Sequence, residues 1–433
     1  MSNIEKIQEL NDKVFNNTME INTLLEVATQ LPVNQKPERL VITPSKDGQG
    51  YIGLYDKVTV YGDADLKPEN IKEGTSIFGV EGSAKTINAV FTNGKELFSS
   101  NQKIKDLYNY VNEFVKLCDW KQFTSCESMF YNNQNLTSLA IRNASPNNIT
   151  NTYSMFSSCN NLTELDLSGF DTSNVTNMAW MFYNTNMPSV DLSSFDTGNV
   201  TDMSYMFYLA NIQELDISNF NTSNVTNMKS MFSWCRKITK LDLSNFDTSS
   251  VTNIDSMFSG CSELIELNVD NFNTSLITSM NSMFSSCYKL TKLDLSSFDT
   301  SNVTSMNGMF NDSRILEDLD LSSFDMSNVT DVTSMFQSCK DLVNLKFGKN
   351  LGKSYVQESE NYSKYELRLS YASDLTHESL MNVINNLYDL NLTYDVANGG
   401  TLYRQELCIG YTNRVKLTAE EIAIATNKGW NVT

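Results

Sequence analysis

The chain has 433 residues, and because 32 are Lys or Arg while 51 are Asp or Glu, its formal net charge is −19. Such an acidic surface repels nucleic acid and other anionic polymers, so we expect no nucleic-acid partner. The chain has no long uninterrupted apolar run, and its first residues lack a basic segment followed by an apolar one. We therefore expect neither membrane insertion nor a targeting segment.

The first 32 residues place apolar side chains along one seam with a period of seven. Such heptads are typical of a coiled coil, and a polar residue in the seam fixes the register. We predict a coiled-coil helix over residues 1–32 that ends at Pro32 and assembles a homotrimer; one amphipathic helix packed on its own domain is the alternative. The predicted seam consists of Ile7, Leu10, Val14, Asn17, Ile21, Leu24, Ala28 and Leu31.

Residues 33–86 contain short alternating apolar runs, at 40–42 and 57–60, that are separated by glycine and proline. This pattern predicts a small β-rich connector. The segment 69–82, ENIKEGTSIFGVEG, resembles a module of tail and baseplate-associated proteins of phages that infect Gram-positive bacteria. The resemblance implies attachment to other tail or baseplate proteins through the N-terminus.

Nine Met-Phe pairs recur every 25 or 26 residues, from Met129-Phe130 to Met335-Phe336. A fixed period of this size indicates a solenoid, in which each repeat buries its apolar edge against the next. We place the repeats at residues 118–348. Residues 87–117 are expected to form an N-terminal cap, and residues 349–433 a C-terminal cap.

One repeat illustrates the expected local structure. Leu165 and Leu167 alternate with Asp166, which predicts a strand with inward leucines. The next apolar residues step by three and four, which predicts a short helical segment; they are Val175, Met178, Met181 and Phe182. The fold class is then an α/β solenoid, a leucine-rich-repeat array with one strand and one helical segment per repeat. Because packed helices need more space than paired strands, we expect a curved parallel sheet.

Five cysteines occupy one repeat position, three residues after the Phe of a Met-Phe pair. We interpret them as reduced, buried thiols rather than disulfides or zinc ligands, since the chain has no CxxC pair. No metal and no cofactor are expected. These residues are Cys159, Cys235, Cys261, Cys287 and Cys339.

The repeats carry the pattern L-D-L-S-x-F-D-T-S-N-V-T-x-M-x-x-M-F-x-x-C nearly intact at residues 241–261 and 293–310. In this they resemble the BspA-type leucine-rich repeats, a resemblance that implies a surface-exposed module for binding and adhesion. Beyond the repeats, Thr376 and Thr418 are predicted helix N-caps, the second with Glu421 in a capping box. The ending at residues 416–430 resembles the tail of phage-borne proteins of this repeat type.

Two consecutive repeats carry aromatic residues beside the Met-Phe pair, where most others carry serine. Aromatic rings that lie together in neighbouring repeats are suited to stacking on sugar rings. The alternative is that this strip packs against the N-terminal domain or another subunit. The candidate binding residues are Tyr131, Trp180, Tyr183, Tyr205, Tyr208 and Trp234.

A column of aspartates follows the predicted strands and is expected on the concave side. It could bind a basic ligand, or a ligand bridged by a cation; the interpretation that we favour is structural, with each carboxylate bonded to nearby hydroxyl or backbone N–H groups. The column consists of Asp166, Asp191, Asp216, Asp242, Asp294 and Asp320.

His377 is the only histidine, which rules out a histidine-based catalytic group elsewhere in the chain. We expect no enzyme and name no catalytic residue. The leading hypothesis is a phage tail fibre or receptor-binding protein of the virion, which recognises a bacterial host cell-surface glycan or protein. The alternative is a bacterial surface adhesin or protein-interaction module; a polysaccharide depolymerase comes third.

Overall fold

The computed structural model describes residues 123–142, 148–353, 365–392 and 405–433, together with Trp120, Ala144 and four short strands nearer the amino terminus. The predicted coiled coil over residues 1–32 and the predicted cap over residues 87–117 lie outside this range. Within it, no helix has the length and apolar character needed to cross a membrane.

The connector region contains two pairs of strands. Strand β1 (Leu40–Ile42) pairs in parallel with β2 (Val58–Val60). Strand β3 (Ser76–Ile77) pairs antiparallel with β4 (Val80–Glu81). The first pair lies in the two apolar runs for which the sequence predicts strands.

The repeats form a parallel β-solenoid with one repeat per turn. Three parallel pairs each join one repeat to the next: β5 (Ser138–Ala140) with β6 (Glu164–Asp166), β7 (Lys240–Leu241) with β8 (Glu266–Leu267), and β9 (Asp318–Leu321) with β10 (Asn344–Phe347). A second column of parallel bridges runs through Asn151, Asn177, Asp202, Asn227 and Asn253. Equivalent residues of successive repeats therefore lie side by side, as the period predicts.

The Met-Phe pairs form the core. Every Met and Phe of the nine pairs is at most 1% exposed. The nine phenylalanine rings stack in one column from Phe130 to Phe336, with centroids 5.3 to 6.0 Å apart and planes within 9° of parallel. Burying a phenylalanine side chain stabilises a fold by roughly 1.5–3 kcal/mol, so this column contributes a large share of the apolar driving force.

The cysteine column lies beside the phenylalanine stack, and the prediction of buried, reduced thiols is confirmed. The Sγ–H of Cys261 donates to the Phe232 carbonyl of the preceding repeat at 3.1 Å, and Cys159 does the same to Phe130 at 2.8 Å. Ser313 occupies the same column and donates its hydroxyl to Phe284 at 2.7 Å. Cysteine and serine therefore make the same hydrogen bond in this column, and the buried Ala210 at the equivalent position shows that a small side chain without a donor also fits.

The prediction of a short helical segment in each repeat is wrong. Around each Met-Phe pair the chain forms successive tight turns, as in Ser157 N to Ser154 O at 3.2 Å and Cys159 N to Phe156 O at 3.2 Å. Ser154 and Ser158 adopt left-handed φ angles of 54° and 60°. Because two left-handed residues lie four positions apart around the Met-Phe pair, an α-helix cannot continue through this segment. We call this face of the solenoid, the Met-Phe pairs and the residues beside them, the turn wall.

The turn wall is bonded between repeats as closely as strands are. From Phe130 to Phe310, the N–H of each phenylalanine in a pair donates to the carbonyl of the next repeat's methionine at 2.9 to 3.1 Å. Our expectation of curvature assumed helices that require wide spacing. Since the turn wall has strand-like spacing instead, that reason for a concave strand face no longer applies.

The C-terminal part closes the last turn. Strands β11 (Glu366–Arg368), β12 (Glu406–Cys408) and β13 (Asn431–Val432) form a parallel sheet in the order β11-β12-β13. The helices are α1 (His377–Asn386), α2 (Gly410–Arg414) and α3 (Ala419–Asn427), with a 3₁₀ turn at Leu390–Leu392.

Helix α1 covers the open edge of β10. The backbone N–H of Leu345 donates to Ser379 Oγ at 3.0 Å, and that of Phe347 to Asn382 Oδ1 at 2.8 Å. Side chains of α1 therefore accept hydrogen bonds from backbone N–H groups of β10 that would otherwise pair with a further repeat. The N-caps at Thr376 and Thr418 are confirmed, the second with Glu421 in a complete capping box.

Because the thiols are buried, we predict that the protein loses stability at alkaline pH. Burial raises the pKa of Cys159, Cys261 and Cys339 to about 12, from an ordinary value of 9.0. Above pH 9 the unfolded chain loses these protons while the folded chain retains them, so stability falls as pH rises toward 12. Urea unfolding at pH 8 and pH 10 measures the loss.

Cys261→Ser is the matched variant, because its hydroxyl does not titrate in this range and Ser313 shows that the column accepts serine. We expect this variant to lose less stability between pH 8 and pH 10 than the parent protein. An equal loss in the two proteins would contradict the assignment.

Candidate functional site

Four aromatic residues of the turn wall form one compact cluster. The Trp180 ring stacks on Tyr205 with centroids 4.2 Å apart, and Tyr183 stacks on Tyr208 at 5.5 Å. Edge contacts join the two stacks, Trp180 to Tyr183 at 4.9 Å and Tyr205 to Tyr208 at 5.6 Å. We call Trp180, Tyr183, Tyr205 and Tyr208 the aromatic tetrad. The sequence predicted that these four rings lie together, although on a helix rather than on turns.

The tetrad occupies positions where the backbone does not require aromatic side chains. Trp180 and Tyr205 have left-handed φ angles of 61° and 57°. In the equivalent position of other repeats, serine adopts φ between 52° and 57°, and Gly308 adopts 60°. A bulky residue in this conformation costs roughly 1–2 kcal/mol, which ring stacking within the tetrad offsets. The serines are Ser128, Ser154, Ser230, Ser256, Ser282 and Ser334.

All four rings of the tetrad are half-buried, because they cover one another. Burial, together with the nearby Tyr183 and Tyr205, raises the pKa of the Tyr208 hydroxyl above its ordinary value. The Tyr208 hydroxyl is therefore neutral at physiological pH. A surface of fixed, neutral rings with hydroxyl tips is suited to a ligand with apolar faces and polar edges.

The other two predicted aromatic residues lie apart from the tetrad. Tyr131 shares the column of Tyr183 but is separated from it by the small Ser157, and it is 39% exposed. Trp234 lies beneath the Arg236 guanidinium at 4.6 Å and packs so closely on Gly260 that an added Cβ would meet the indole at 2.7 Å. Trp234 is thus engaged by its own neighbours.

The aspartate column forms hydrogen-bonded turns. Each of its six carboxylates accepts a hydrogen bond from the backbone N–H of the serine two residues later, at 2.9 to 3.0 Å. Asn268 occupies the same column and accepts from Asp270 N at 3.0 Å. This is the arrangement that the structural interpretation predicts, and an amide serves it as well as a carboxylate.

The lowered pKa values of the aspartates agree with these hydrogen bonds. Hydrogen bonds from Ser168, followed by the contact with Arg142, lower the pKa of Asp166 to about 2. Bonds from Ser322, and to a lesser degree Lys346, lower the pKa of Asp320. The ion pairs that flank the column are exposed, Arg142 to Asp166 at 2.6 Å and Lys346 to Asp320 at 3.5 Å. Like charges along the column are therefore stabilised by local donors, and no bound cation is required.

An internal ladder of threonines was not predicted from the sequence. Its members are buried threonines at one position of successive repeats, and Thr197, which is 1% exposed, is an example. The Thr197 hydroxyl donates to Asn221 O at 2.9 Å and accepts from Asn221 N at 2.8 Å. The signal was present in the recurrent Asp-Thr-Ser and Asn-Thr-Ser triplets. The Asn-Val-Thr triplets also satisfy backbone groups of the preceding repeat: Thr226 Oγ1 donates to Thr201 O at 3.2 Å and Asn224 Nδ2 to Gly198 O at 2.7 Å.

Two further features of the C-terminal region are chemically notable. An open groove of about 770 Å³ lies between β9, β10 and α1, and Asp318, Lys346 and His377 contribute to its lining. The ligand atoms of Glu366, Glu406 and Cys408 lie within 4.8 Å of one another, a spacing that suits a metal ion. The Arg368 guanidinium already pairs with Glu366 at 2.7 Å, however, which disfavours a cation there.

A family model described as "Mycoplasma protein of unknown function, DUF285" matches residues 92–211, 186–266 and 262–365, which is more than half of the chain. The chain belongs to this family. The DUF285 match spans all nine Met-Phe pairs and supports the interpretation of the array as leucine-rich repeats of BspA type. It does not extend to the segments that resemble phage proteins.

Two solved structures are similar to the chain at low identity. A leucine-rich repeat protein from Eubacterium ventriosum is 13% identical, with 56% of this chain and 84% of that chain covered and a TM-score of 0.24. The functional domain of InlJ from Listeria monocytogenes, whose description includes a cysteine ladder, is 18% identical, with 66% and 67% covered and a TM-score of 0.13. A search of the curated proteins found no match.

The hydrogen-bonding role of the aspartate column can be tested at Asp294. Asp294→Ala removes the acceptor of Ser296 N and should lower the free energy of unfolding by about 1 kcal/mol. Asp294→Asn should leave it nearly unchanged at pH 7, since Asn268 makes the same bond. Because hydrogen bonds lower the pKa of Asp294, the parent protein also loses stability as the pH falls below the ordinary value of 3.8. Chemical unfolding measures the stability of the two variants at pH 7 and of the parent protein as the pH falls. Equal losses of stability in Asp294→Ala and Asp294→Asn would contradict the hydrogen-bonding role of the carboxylate.

Proposed function

We propose that this DUF285 protein is a non-catalytic binding protein, a bacterial surface adhesin or protein-interaction module, that contacts its partner through the aromatic tetrad. The supporting observation is the contrast between a uniform interior and a locally different exterior. The Met-Phe pairs repeat without change through nine turns, whereas the aromatic pairs appear in only two consecutive turns. Since packing in the other turns is satisfied by serine, the tetrad serves something other than the core.

The solenoid is suited to presenting such a site. Trp180 and Tyr205 are attached to backbone that is bonded to the following repeat at 3.0 and 2.8 Å, and their neighbours Met181 and Met206 are fully buried. A contact surface that is already rigid loses little conformational entropy when a partner binds. The tetrad is therefore preorganised by the same bonds that hold the array together.

A phage tail receptor-binding protein is the more specific hypothesis. What favours it is the resemblance of residues 69–82 and 416–430 to phage proteins. The family match favours the adhesin or interaction module instead, because it covers the repeats and neither of the two segments that resemble phage proteins. A homotrimer with a virion location, and contact with baseplate proteins through the N-terminus, belong to the phage hypothesis. The mass of the full-length protein in solution tests it, since a monomer at micromolar concentration would contradict it.

The binding role is tested with the full-length protein on an array of bacterial and mammalian glycans, glycoproteins and the same proteins after deglycosylation. We expect binding to at least one component, and we expect Trp180→Ser combined with Tyr205→Ser to weaken it about tenfold or more. Serine is the natural residue of this column, with the same φ, so the double variant should retain the thermal stability of the parent.

Tyr131→Ser is the matched control, because it removes an exposed tyrosine of the turn wall that lies outside the tetrad. Its binding should stay within about twofold of the parent protein. If no component binds, or if the double variant binds as the parent does, the proposed function is wrong. Release of reducing ends from a bound polysaccharide would instead indicate a depolymerase.

A further inference from the structure

We propose that the tetrad binds a neutral saccharide chain by stacking sugar rings on its outer ring faces. This inference rests on the proposed function and assigns a ligand class to the same site. Three features support it: the close packing of the four rings, the small side chains beside them, and the net charge of the protein.

The rings leave no space between them for a ligand. Trp180 and Tyr205 lie 4.2 Å apart with planes 16° from parallel, and Tyr183 and Tyr208 lie 5.5 Å apart with planes 5° from parallel. A groove for a proline-rich peptide needs separated rings that admit a side chain between them, and a cage for an ammonium group needs rings around a cavity. Neither is formed here, so a ligand must use the outer faces and edges of the cluster.

Small side chains lie in the same two columns on both sides of the cluster. Before Trp180 and Tyr183 in the stack come Ser154 and Ser157; after Tyr205 and Tyr208 come Ser230 and Ser233. All four serines are at most 6% exposed, so they fill the wall beneath without rising beside the rings. The tetrad thus stands as a ridge two repeats wide, which a flat pyranose ring can approach from either side.

Charge narrows the class of saccharide. The formal net charge of −19 opposes anionic polymers such as polyphosphates and uronic acid chains. The four rings are neutral, and they combine apolar faces with three phenolic hydroxyl groups and one indole N–H. Sugar rings present apolar C–H faces and hydroxyl edges, so a neutral chain matches both parts of the ridge.

The test is a titration of the full-length protein with cellohexaose, xylohexaose, maltohexaose and chitohexaose, followed by tryptophan fluorescence. Trp120 and Trp430 are at most 2% exposed, so a change in emission reports on Trp180 or Trp234. We expect at least one hexasaccharide to change the emission and to bind about tenfold or more weakly to the Trp180→Ser, Tyr205→Ser double variant by calorimetry. The Tyr131→Ser variant should bind as the parent protein does.

The outcomes separate this inference from the proposed function. If no hexasaccharide binds, or if the double variant binds one equally well, the saccharide inference is overturned. The proposed function nevertheless stands if the double variant loses binding to a deglycosylated protein on the array, since the tetrad is then a protein-binding site. If the parent protein is a dimer that the double substitution converts to a monomer, the tetrad contacts a second copy and the saccharide inference is again overturned.

Discussion

The hydrogen bond from the phenylalanine N–H of one repeat to the methionine carbonyl of the next is the interaction on which the rest of the structure depends. It recurs from Phe130 to Phe310 at 2.9 to 3.1 Å. It sets the spacing at which the phenylalanine rings stack and the cysteine column forms. Because each repeat buries its apolar residues only against its neighbours, these bonds connect local turns to a continuous core.

The sequence predicted the stacking of repeats, the buried Met-Phe pairs, the reduced thiols and the two helix N-caps. These follow from a fixed period and from side-chain chemistry, which the chain displays directly. It predicted a helix in each repeat wrongly, because a series of tight turns buries residues three and four apart just as a helix does. The serines at left-handed positions were the available signal, but Trp180 and Tyr205 occupy the same position and obscured it.

The candidate site was predictable in part. Placing Trp180, Tyr183, Tyr205 and Tyr208 together needs only the repeat register, whereas the separation of Trp234 depends on its contacts with Gly260 and Arg236. The role of the aspartates as turn acceptors follows from a serine two residues later in each repeat. The closed packing of the rings, which distinguishes a ridge from a groove, could not be read from residue spacing, since it depends on side-chain orientation.

A uniform interior allows the exterior to vary without loss of fold. Serine, glycine, tyrosine and tryptophan all occupy the position before the Met-Phe pair, and the turn that carries them is the same in each case. An array of this kind can acquire a binding site in two adjacent repeats while the remaining repeats hold it rigid. This property is what the proposed binding function requires of the repeats.

Amide hydrogen exchange, followed by mass spectrometry of the full-length protein, tests the bonding between repeats most directly. We predict that peptides spanning the eight pairs from Met129-Phe130 to Met309-Phe310 exchange slowly, since their N–H groups are bonded and buried, while the peptide containing Leu392, whose side chain is 75% exposed, exchanges rapidly. Rapid exchange at the Met-Phe pairs would contradict the stacked solenoid.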